Sequence, residues 1–247
     1  MSYDIKDKVV FITGANRGIG KNITEAFLNH GAAKVYAAVR NLDSAKPLVE
    51  KYGDKVVPIY VDMTNEESIV NAAKTATDTE VLVSNAGVLS NTNPFADDVF
   101  DSLQNEININ VYGFIRIAKQ FAPILKANGG GALIQLNSVA SLKSFYDFST
   151  YSASKAAAYS ITQAMKEFFD QQGTAVVSVH PGPIDTDMAH NAGFGEIAEP
   201  VDLVSESIID ALNNGNFHAF PDSFAKMFEK DYQGFAQNIV EANLFEE

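Results

Sequence analysis

Tyr151 and Lys155 stand four positions apart at the start of a helix that the residue pattern predicts over 150–172. Residues four apart share one helical face, so the phenol and the ammonium can point the same way. An isolated tyrosine titrates near ~10 and is a weak base at neutral pH, but a neighbouring cation favours its phenolate and lowers its pKa. Ser138 follows a predicted strand, and its hydroxyl could hydrogen-bond a substrate oxygen as charge develops there. Ser141 is a minor rival for that role.

A glycine-rich loop at 13–20 lies between the first predicted strand and the first predicted helix. Gly14, Gly18 and Gly20 allow a tight turn, a close approach to a pyrophosphate, and packing of the helix against the strand. The free N–H groups of the helix N-terminus then face the anion. In this strand–turn–helix context the loop predicts a dinucleotide site.

The end of the second predicted strand indicates which dinucleotide is bound. An acidic residue there would bind the adenosine ribose hydroxyls of NAD, but this strand ends in Arg40-Asn41. Arg40, joined by Arg17 of the glycine loop, could pair with a 2′-phosphate through charge-assisted hydrogen bonds. Two arginines and no acid favour NADP(H) as the cofactor.

Short apolar runs alternate with helical patterns along the chain, and such alternation predicts parallel strands joined by right-handed crossovers. We therefore expect an α/β fold, a Rossmann-like doubly wound parallel sheet with helices on both faces in three α/β/α layers. A single domain over 1–247 is expected, with a mobile lid at about 185–200 and an acidic helical tail at about 222–247. Predicted strands are 9–12, 34–39, 56–61, 81–84, 132–136, 174–179 and 217–220. Predicted helices include 66–76, 99–127, 150–172, 201–212 and 223–245, the second of these bent at Gly113 and near Pro123.

Composition excludes several classes of protein. The 247 residues carry a net charge of −13 and no cysteine, which excludes disulfides and thiolate metal sites. Residues 196–247 hold 11 acidic and 2 basic side chains. Such acidity disfavours nucleic acid and anionic membrane as partners. The histidines are scattered, so no metal site is expected, and a cytoplasmic location is the default because neither a membrane span nor a signal-peptide pattern is present.

As a set, these motifs resemble the short-chain dehydrogenase/reductase family over nearly the whole chain. The matching residues are Thr13, Gly14, Gly18, Ile19, Gly20, Asp62, Asn85, Ala86, Gly87, Asn110, Ser138, Tyr151, Lys155, Pro181 and Gly182. Their order and spacing are also similar to those of that family.

The resemblance implies a role for each catalytic residue. Tyr151 would be the general acid in carbonyl reduction and the base in alcohol oxidation, and Lys155 would bind the nicotinamide ribose. Ser138 would hold the substrate oxygen, and Asn110 would hold a water that links Lys155 to solvent. The residues expected to bind NADP(H) are Gly14, Asn16, Arg17, Gly18, Ile19, Arg40, Asp62, Met63, Asn85, Ala86, Gly87, Tyr151, Lys155, Pro181, Gly182, Ile184 and Thr186.

The sequence thus predicts an NADP(H)-dependent oxidoreductase of the carbonyl reductase or alcohol dehydrogenase type with a small-molecule substrate. We expect an apolar substrate because the residues expected around the reacting centre are mostly apolar: Val88, Leu89, Val139, Phe145, Phe148 and Met188. A catalytically silent NADP(H)-binding regulator of the same fold is the alternative, and epimerisation or dehydration is a third possibility. The end of the chain departs from the pattern of tetrameric relatives, which leaves dimer, tetramer and monomer open.

Overall fold

Seven strands form one parallel sheet in the computed structural model, which describes residues 1–242. Their order across the sheet is β3-β2-β1-β4-β5-β6-β7. Strands β1 to β3 are therefore added towards one edge of the sheet, and strands β4 to β7 are added towards the other edge. This reversal of the strand order lies between β1 and β4. In such sheets, ligands bind at the carboxyl ends of the strands beside this reversal. The strands are β1 Val9–Thr13, β2 Lys34–Val39, β3 Val56–Tyr60, β4 Val81–Ser84, β5 Ala132–Leu136, β6 Ala175–Val179 and β7 His218–Ala219.

The first strand shows why these apolar runs form a covered sheet. Val10, Phe11 and Ile12 are completely buried. Because successive side chains point to opposite faces, Val10 and Ile12 join the core on one side of the sheet and Phe11 joins the core on the other. Burial on both faces accounts for the continuous hydrophobic run and confirms the predicted three-layer α/β/α, Rossmann-like fold.

Helices cover both faces of the sheet. Apolar residues of α1, α2 and α8 pack in one core, and those of α3, α5 and α6 pack in the other. The helices are α1 Gly18–Asn29, α2 Lys46–Tyr52, α3 Glu66–Thr75, α4 Val99–Glu106, α5 Phe114–Ala127, α6 Ser149–Gln171, α7 Asp187–Asn191, α8 Asp202–Asn214 and α9 Ser223–Phe235. The sequence did not predict α2 and α7, since neither is long enough to show two full turns of apolar periodicity.

The predicted single helix over 99–127 is instead three consecutive segments. Between α4 and α5, residues Ile107–Gly113 form a π-helical segment. Gly113 ends it against Met63, where an added Cβ would lie 2.8 Å from the Met63 Cβ. The expected irregularity at Gly113 is therefore present as a change of helix type, and π-helical turns occur frequently at functional sites.

The C-terminal segment packs beside the end of β6. Val139, Phe220 and Ala225 form a small buried cluster against which Phe224 and Phe228 pack. A π-helical turn, Ala236–Val240, follows α9. The predicted helix extended to residue 245, and its last part, with Leu244, lies outside the described residues. In the described part of the chain, no helix is both long enough and apolar enough to cross a bilayer.

Candidate active site

A cleft of about 730 Å³ opens at the carboxyl ends of the strands. The segments after β1, β2, β3, β4, β5 and β6 all contribute to its walls, as does the segment 185–190. Every residue that the sequence predicted to bind NADP(H) lines this cleft, except Gly182 and Ile184. The fold thus brings motifs from the two halves of the sheet to one place.

The glycine loop forms a backbone cradle at the N-terminus of α1. Gly14 and Gly18 have positive φ values of 66° and 51°, a conformation that L side chains rarely adopt. At Gly20, an added Cβ would lie 2.2 Å from the Gly14 carbonyl oxygen, so only hydrogen fits there. Asn85 fixes the loop from β4, because its Nδ2 donates to the Thr13 carbonyl at 2.8 Å. The space left by the missing side chains and the free N–H groups of α1 fit a pyrophosphate.

Arg17 and Arg40, the two arginines that the sequence singled out, both line the cleft. Both are exposed, and Arg17 Nη1 lies 3.5 Å from Asp187 Oδ2. A backbone hydrogen bond from Thr64 and, more weakly, the charge of Arg40 lower the pKa of Asp62. Asn41 and Ser44 also line the cleft, although the sequence did not predict them as site residues. The donor set of two guanidiniums, a hydroxyl and an amide suits a phosphate monoester.

Tyr151 and Lys155 also line the cleft and lie close to each other. Both project from the first turns of α6, and Lys155 Nζ lies 5.8 Å from the centre of the Tyr151 ring. Lys155 is buried and donates to the Leu136 carbonyl at 2.7 Å, which ties α6 to the end of β5. Burial lowers the pKa of Lys155 to about 8.

Burial raises the pKa of Tyr151 to about 12, a hydrogen bond with Ser138 opposes this rise, and the charge of Glu106 adds to it. The sequence predicted that Lys155, helped by the positive nicotinamide ring, lowers this pKa; among the groups of the protein chain, desolvation of the phenolate dominates and raises it. The Ser138 hydroxyl donates to the Pro181 carbonyl at 3.3 Å. Its hydroxyl also accepts from the Ala140 N–H at 3.1 Å. Ser141 instead hydrogen-bonds His180 Nδ1 at 2.9 Å, which places the rival serine on a different partner.

Asn110 is buried beneath the cleft and does not line it. Its Oδ1 accepts from the Val88 N–H at 2.9 Å, and its Nδ2 donates to the Val88 carbonyl at 2.9 Å. The same Nδ2 donates to Ser154 Oγ at 2.9 Å. The amide therefore joins the π-helical segment, the loop after β4 and α6. An added Cβ at Gly87 would lie 3.2 Å from Asn110 Oδ1 and 3.6 Å from Lys155 Nζ, so the three residues meet at one point.

Gly182 and Ile184 lie outside the cleft because both have other structural partners. The Gly182 N–H donates to Asp222 Oδ2 at 2.7 Å, and the Ile184 side chain is packed in the core. A contact between Ile184 and a bound nucleotide would therefore use its backbone.

Asn137 lines the cleft and was missed by the sequence analysis. It is buried, and its Nδ2 donates to Ser178 Oγ at 2.9 Å. Its position at the carboxyl end of β5 was the available signal, because the carboxyl ends of the strands supply the site.

The expected apolar surroundings of the reacting centre are present only in part. Val88 and Met188 line the cleft, whereas Val139 is buried in the cluster with Phe220. The Phe148 ring packs on Phe194 at 5.1 Å between centroids. Three ionisable side chains from the segment after β6 also line the cleft, namely Asp185, Asp187 and His190. Among residues 1–242 there is no group of three His, Cys, Asp or Glu side chains that could hold a metal ion.

Comparison with known proteins gives one consistent family. The family model described as short chain dehydrogenase matches residues 8–196. An uncharacterised oxidoreductase of Staphylococcus aureus (strain N315) is 30% identical over 217 residues, which cover 84% of this chain and 92% of the relative.

Solved structures agree with this family. A short-chain dehydrogenase from Burkholderia cenocepacia J2315, determined in complex with NADP, is 31% identical, with a TM-score of 0.86 and coverage of 97% of this chain and 100% of that one. A short-chain dehydrogenase/reductase from Burkholderia phymatum, determined in complex with NAD, has a TM-score of 0.82 at 18% identity over 94% of this chain and 96% of that one, and shows the shared fold alone. The chain belongs to the short-chain dehydrogenase family.

Proposed function

We propose that this protein is an NADP(H)-dependent oxidoreductase that interconverts a carbonyl compound and a secondary alcohol. The observation that carries the proposal is one cleft that is lined both by Arg17 and Arg40 and by Tyr151 and Lys155. The glycine loop lines the same cleft, and its backbone fits a pyrophosphate. A structural relative at 31% identity was determined with NADP, which supports the choice of cofactor.

The chain's own residues would hold the nucleotide along the cleft. Arg17 and Arg40 would bind the 2′-phosphate, and the N-terminus of α1 would bind the pyrophosphate. The loop 85–87 would lie against the nicotinamide half, with Lys155 on its ribose and Thr186 closing over it. When bound, the cofactor supplies or accepts the hydride, and the protein supplies orientation and proton transfer.

Tyr151 would transfer the proton at the substrate oxygen. With its pKa at about 12, its phenol is protonated at neutral pH and is ready to donate to a carbonyl oxygen. The Ser138 hydroxyl would donate a hydrogen bond to the same oxygen as negative charge develops. Lys155 would return a proton to Tyr151 after each transfer, since its pKa of about 8 keeps most of the ammonium charged at neutral pH. Asn110, which lies beside Lys155, would connect that proton path towards solvent.

The substrate would bind between Val88 and Met188 beneath the segment 185–200, which we propose as the lid. This side of the cleft mixes apolar contact with the His190–Asp185 pair, whose Nε2 and Oδ1 lie 2.7 Å apart. A substrate with an apolar body and one hydrogen-bonding group fits these surroundings better than a purely hydrocarbon ketone.

A fluorescence titration with NADPH and NADH tests the cofactor. We expect tighter binding of NADPH, and loss of that preference in Arg40→Ala and Arg17→Ala. Lys21→Ala removes an exposed cation of α1 paired with Glu25 and serves as the control that keeps it. Equal binding of the two nucleotides by the unmodified protein would contradict the NADP(H) assignment.

Turnover of a panel of ketones by Tyr151→Phe distinguishes an enzyme from a nucleotide-binding regulator. We expect the variant to bind NADPH normally and to lose at least a hundredfold in kcat, within the range of about 10² to 10⁴ for general acid–base catalysis. Tyr146→Phe, at an exposed tyrosine outside the cleft, is the matched control. If the unmodified protein binds NADPH and reduces none of the ketones or aldehydes tested, the regulator is favoured.

A further inference from the structure

His180 is a completely buried histidine that the proposed reaction does not use. It follows β6 and directly precedes Pro181, which lines the cleft. Its ring stacks on the Phe220 ring with 5.2 Å between centroids, and it meets the Tyr159 ring edge-on at 4.7 Å. A polar ring in such surroundings is costly unless both of its nitrogens form hydrogen bonds.

Both ring nitrogens of His180 have hydroxyl partners. Nε2 lies 2.8 Å from Ser178 Oγ, and Nδ1 lies 2.9 Å from Ser141 Oγ. Burial lowers the pKa of His180 to about 3, so the ring is neutral and has one donor and one acceptor nitrogen. Ser178 Oγ accepts from Asn137 Nδ2 at 2.9 Å, which leaves its hydrogen for His180 Nε2. Nδ1 therefore carries the ring hydrogen and donates it to Ser141.

The chain of hydrogen bonds through His180 ends on Ser138. The Ser141 hydroxyl donates to the Ser138 carbonyl oxygen, and His180 Nδ1 itself lies 3.3 Å from that oxygen. The donors thus point in one direction, from Asn137 to Ser178, His180, Ser141 and finally Ser138. Hydrogen bonds in such a chain polarise and strengthen one another in a low-dielectric interior. Loss of the central link therefore loosens the backbone of Ser138.

The hydroxyl of Ser138 is held from the same side. It donates to the Pro181 carbonyl at 3.3 Å and accepts from the Ala140 N–H at 3.1 Å. The Val139 N–H donates to the same Pro181 carbonyl at 3.0 Å. Because His180 directly precedes Pro181, its ring ties together the Ser138 carbonyl and the segment that fixes the Ser138 hydroxyl.

We propose that His180 is a positioning residue for Ser138: its ring joins the turn after β5 to the end of β6 and so aims the Ser138 hydroxyl at the substrate oxygen. The inference rests on the proposed role of Ser138 in holding that oxygen. A displacement of about 1 Å in a catalytic group can cost about a hundredfold in rate. The effect of His180 is therefore on kcat, and the affinity for NADPH stays unchanged.

Two amide variants, His180→Asn and His180→Gln, test this role in the full-length protein. The shorter asparagine places its amide where Nδ1 stands and can still donate to Ser141, whereas the glutamine amide reaches the position of Nε2. We expect His180→Asn to keep most of the kcat for the best ketone of the panel and His180→Gln to lose about tenfold or more. Equal losses of kcat in the two variants at equal stability in urea would overturn the inference. His30→Gln, at an exposed histidine outside the cleft, is the control.

A double-mutant cycle shows whether His180 acts through Ser138. If it does, His180→Gln has no further effect on kcat once Ser138→Ala has removed the hydroxyl, because coupled residues are not additive. A histidine that only stabilises the fold would lower kcat by the same factor in both backgrounds, and that result would contradict the proposal.

Ser141→Ala covers the case in which neither His180 variant folds. It removes the hydroxyl between His180 Nδ1 and the Ser138 carbonyl and should lower kcat by a smaller factor, again only when Ser138 is present. An unchanged kcat in Ser141→Ala would overturn the inference as well. Loss of activity in Ser138→Ala beside an unaffected His180→Gln overturns the role of His180 alone. A fully active Ser138→Ala, or an unmodified protein that reduces none of the ketones and aldehydes, overturns the proposed function and the inference together.

Discussion

At the scale of single residues, the glycine loop depends on one position where no side chain fits. An added Cβ at Gly20 would lie 2.2 Å from the Gly14 carbonyl oxygen and 2.4 Å from Asn85 Nδ2. Gly20→Ala should therefore lower the free energy of unfolding by about 1–3 kcal/mol, as overpacking does in other cores, and weaken NADPH binding. Urea denaturation and the NADPH fluorescence titration measure the two effects.

The matched control is Gly234→Ala in α9, where nothing lies within 4 Å of the added Cβ. Alanine there should raise stability by about 0.5–1 kcal/mol because it is the better helix former. If both glycine variants behaved alike, the close approach at Gly20 would not explain its presence.

The sequence predicted residues whose chemical type and spacing are informative and missed those whose importance comes from burial. Tyr151, Lys155 and Arg40 lie in the cleft as expected. No catalytic role was predicted for His180, because a lone histidine gives no sign of its surroundings, and only the fold shows it to be buried among hydrogen-bond partners. The rise in the pKa of Tyr151 was missed for the same reason. It comes from burial of the phenol, which the residue types and their spacing do not reveal.

At the scale of elements, Asp222 connects α9 to the segment that follows β6. It is buried, caps α9 by accepting from the Ala225 N–H at 2.9 Å, and accepts from the Gly182 N–H at 2.7 Å. Asp222→Ala leaves both donors unpaired and should lower stability by about 1–3 kcal/mol. Because Gly182 follows Pro181, which lines the cleft, we also expect weaker NADPH binding.

Asn65→Ala is the control that separates a loss of stability from a loss of NADPH binding. Asn65 caps α3 by accepting from the Ser68 N–H at 3.2 Å, and it does not line the cleft. Thermal unfolding should show a loss of about 1 kcal/mol for this variant, with unchanged affinity for NADPH. An Asp222→Ala protein that is less stable but binds NADPH normally would show that the link between α9 and Gly182 does not affect the site.

Strands were the elements that the sequence predicted best, because continuous apolar runs such as residues 9–12 are too short and too rich in β-branched side chains for a helix of their own. The helix after β4 was predicted as one element because residue types do not distinguish the i→i+5 hydrogen bonds of the π-helical segment Ile107–Gly113 from the i→i+4 bonds of an α-helix. The short helix Asp187–Asn191 has a capping threonine, Thr186, as its only local signal. Such features depend on which neighbours the backbone meets.

At the scale of the whole molecule, repulsion among like charges opposes folding, since 31 acidic residues face 18 basic ones and the net charge is −13. Exposed ion pairs such as Lys51–Glu25 and Lys46–Asp43 offset little of this, because such pairs contribute about 0–1 kcal/mol. Raising the salt concentration from about 20 mM to about 500 mM shortens the screening length several-fold and should raise the Tm by a few degrees at about pH 8. The same change at about pH 5, close to the calculated isoelectric point of 4.7, should have much less effect on the Tm because the net charge there is small.

A Tm that falls with salt at pH 8 would instead mean that the ion pairs outweigh the repulsion among like charges. Scanning calorimetry at the two pH values distinguishes these outcomes.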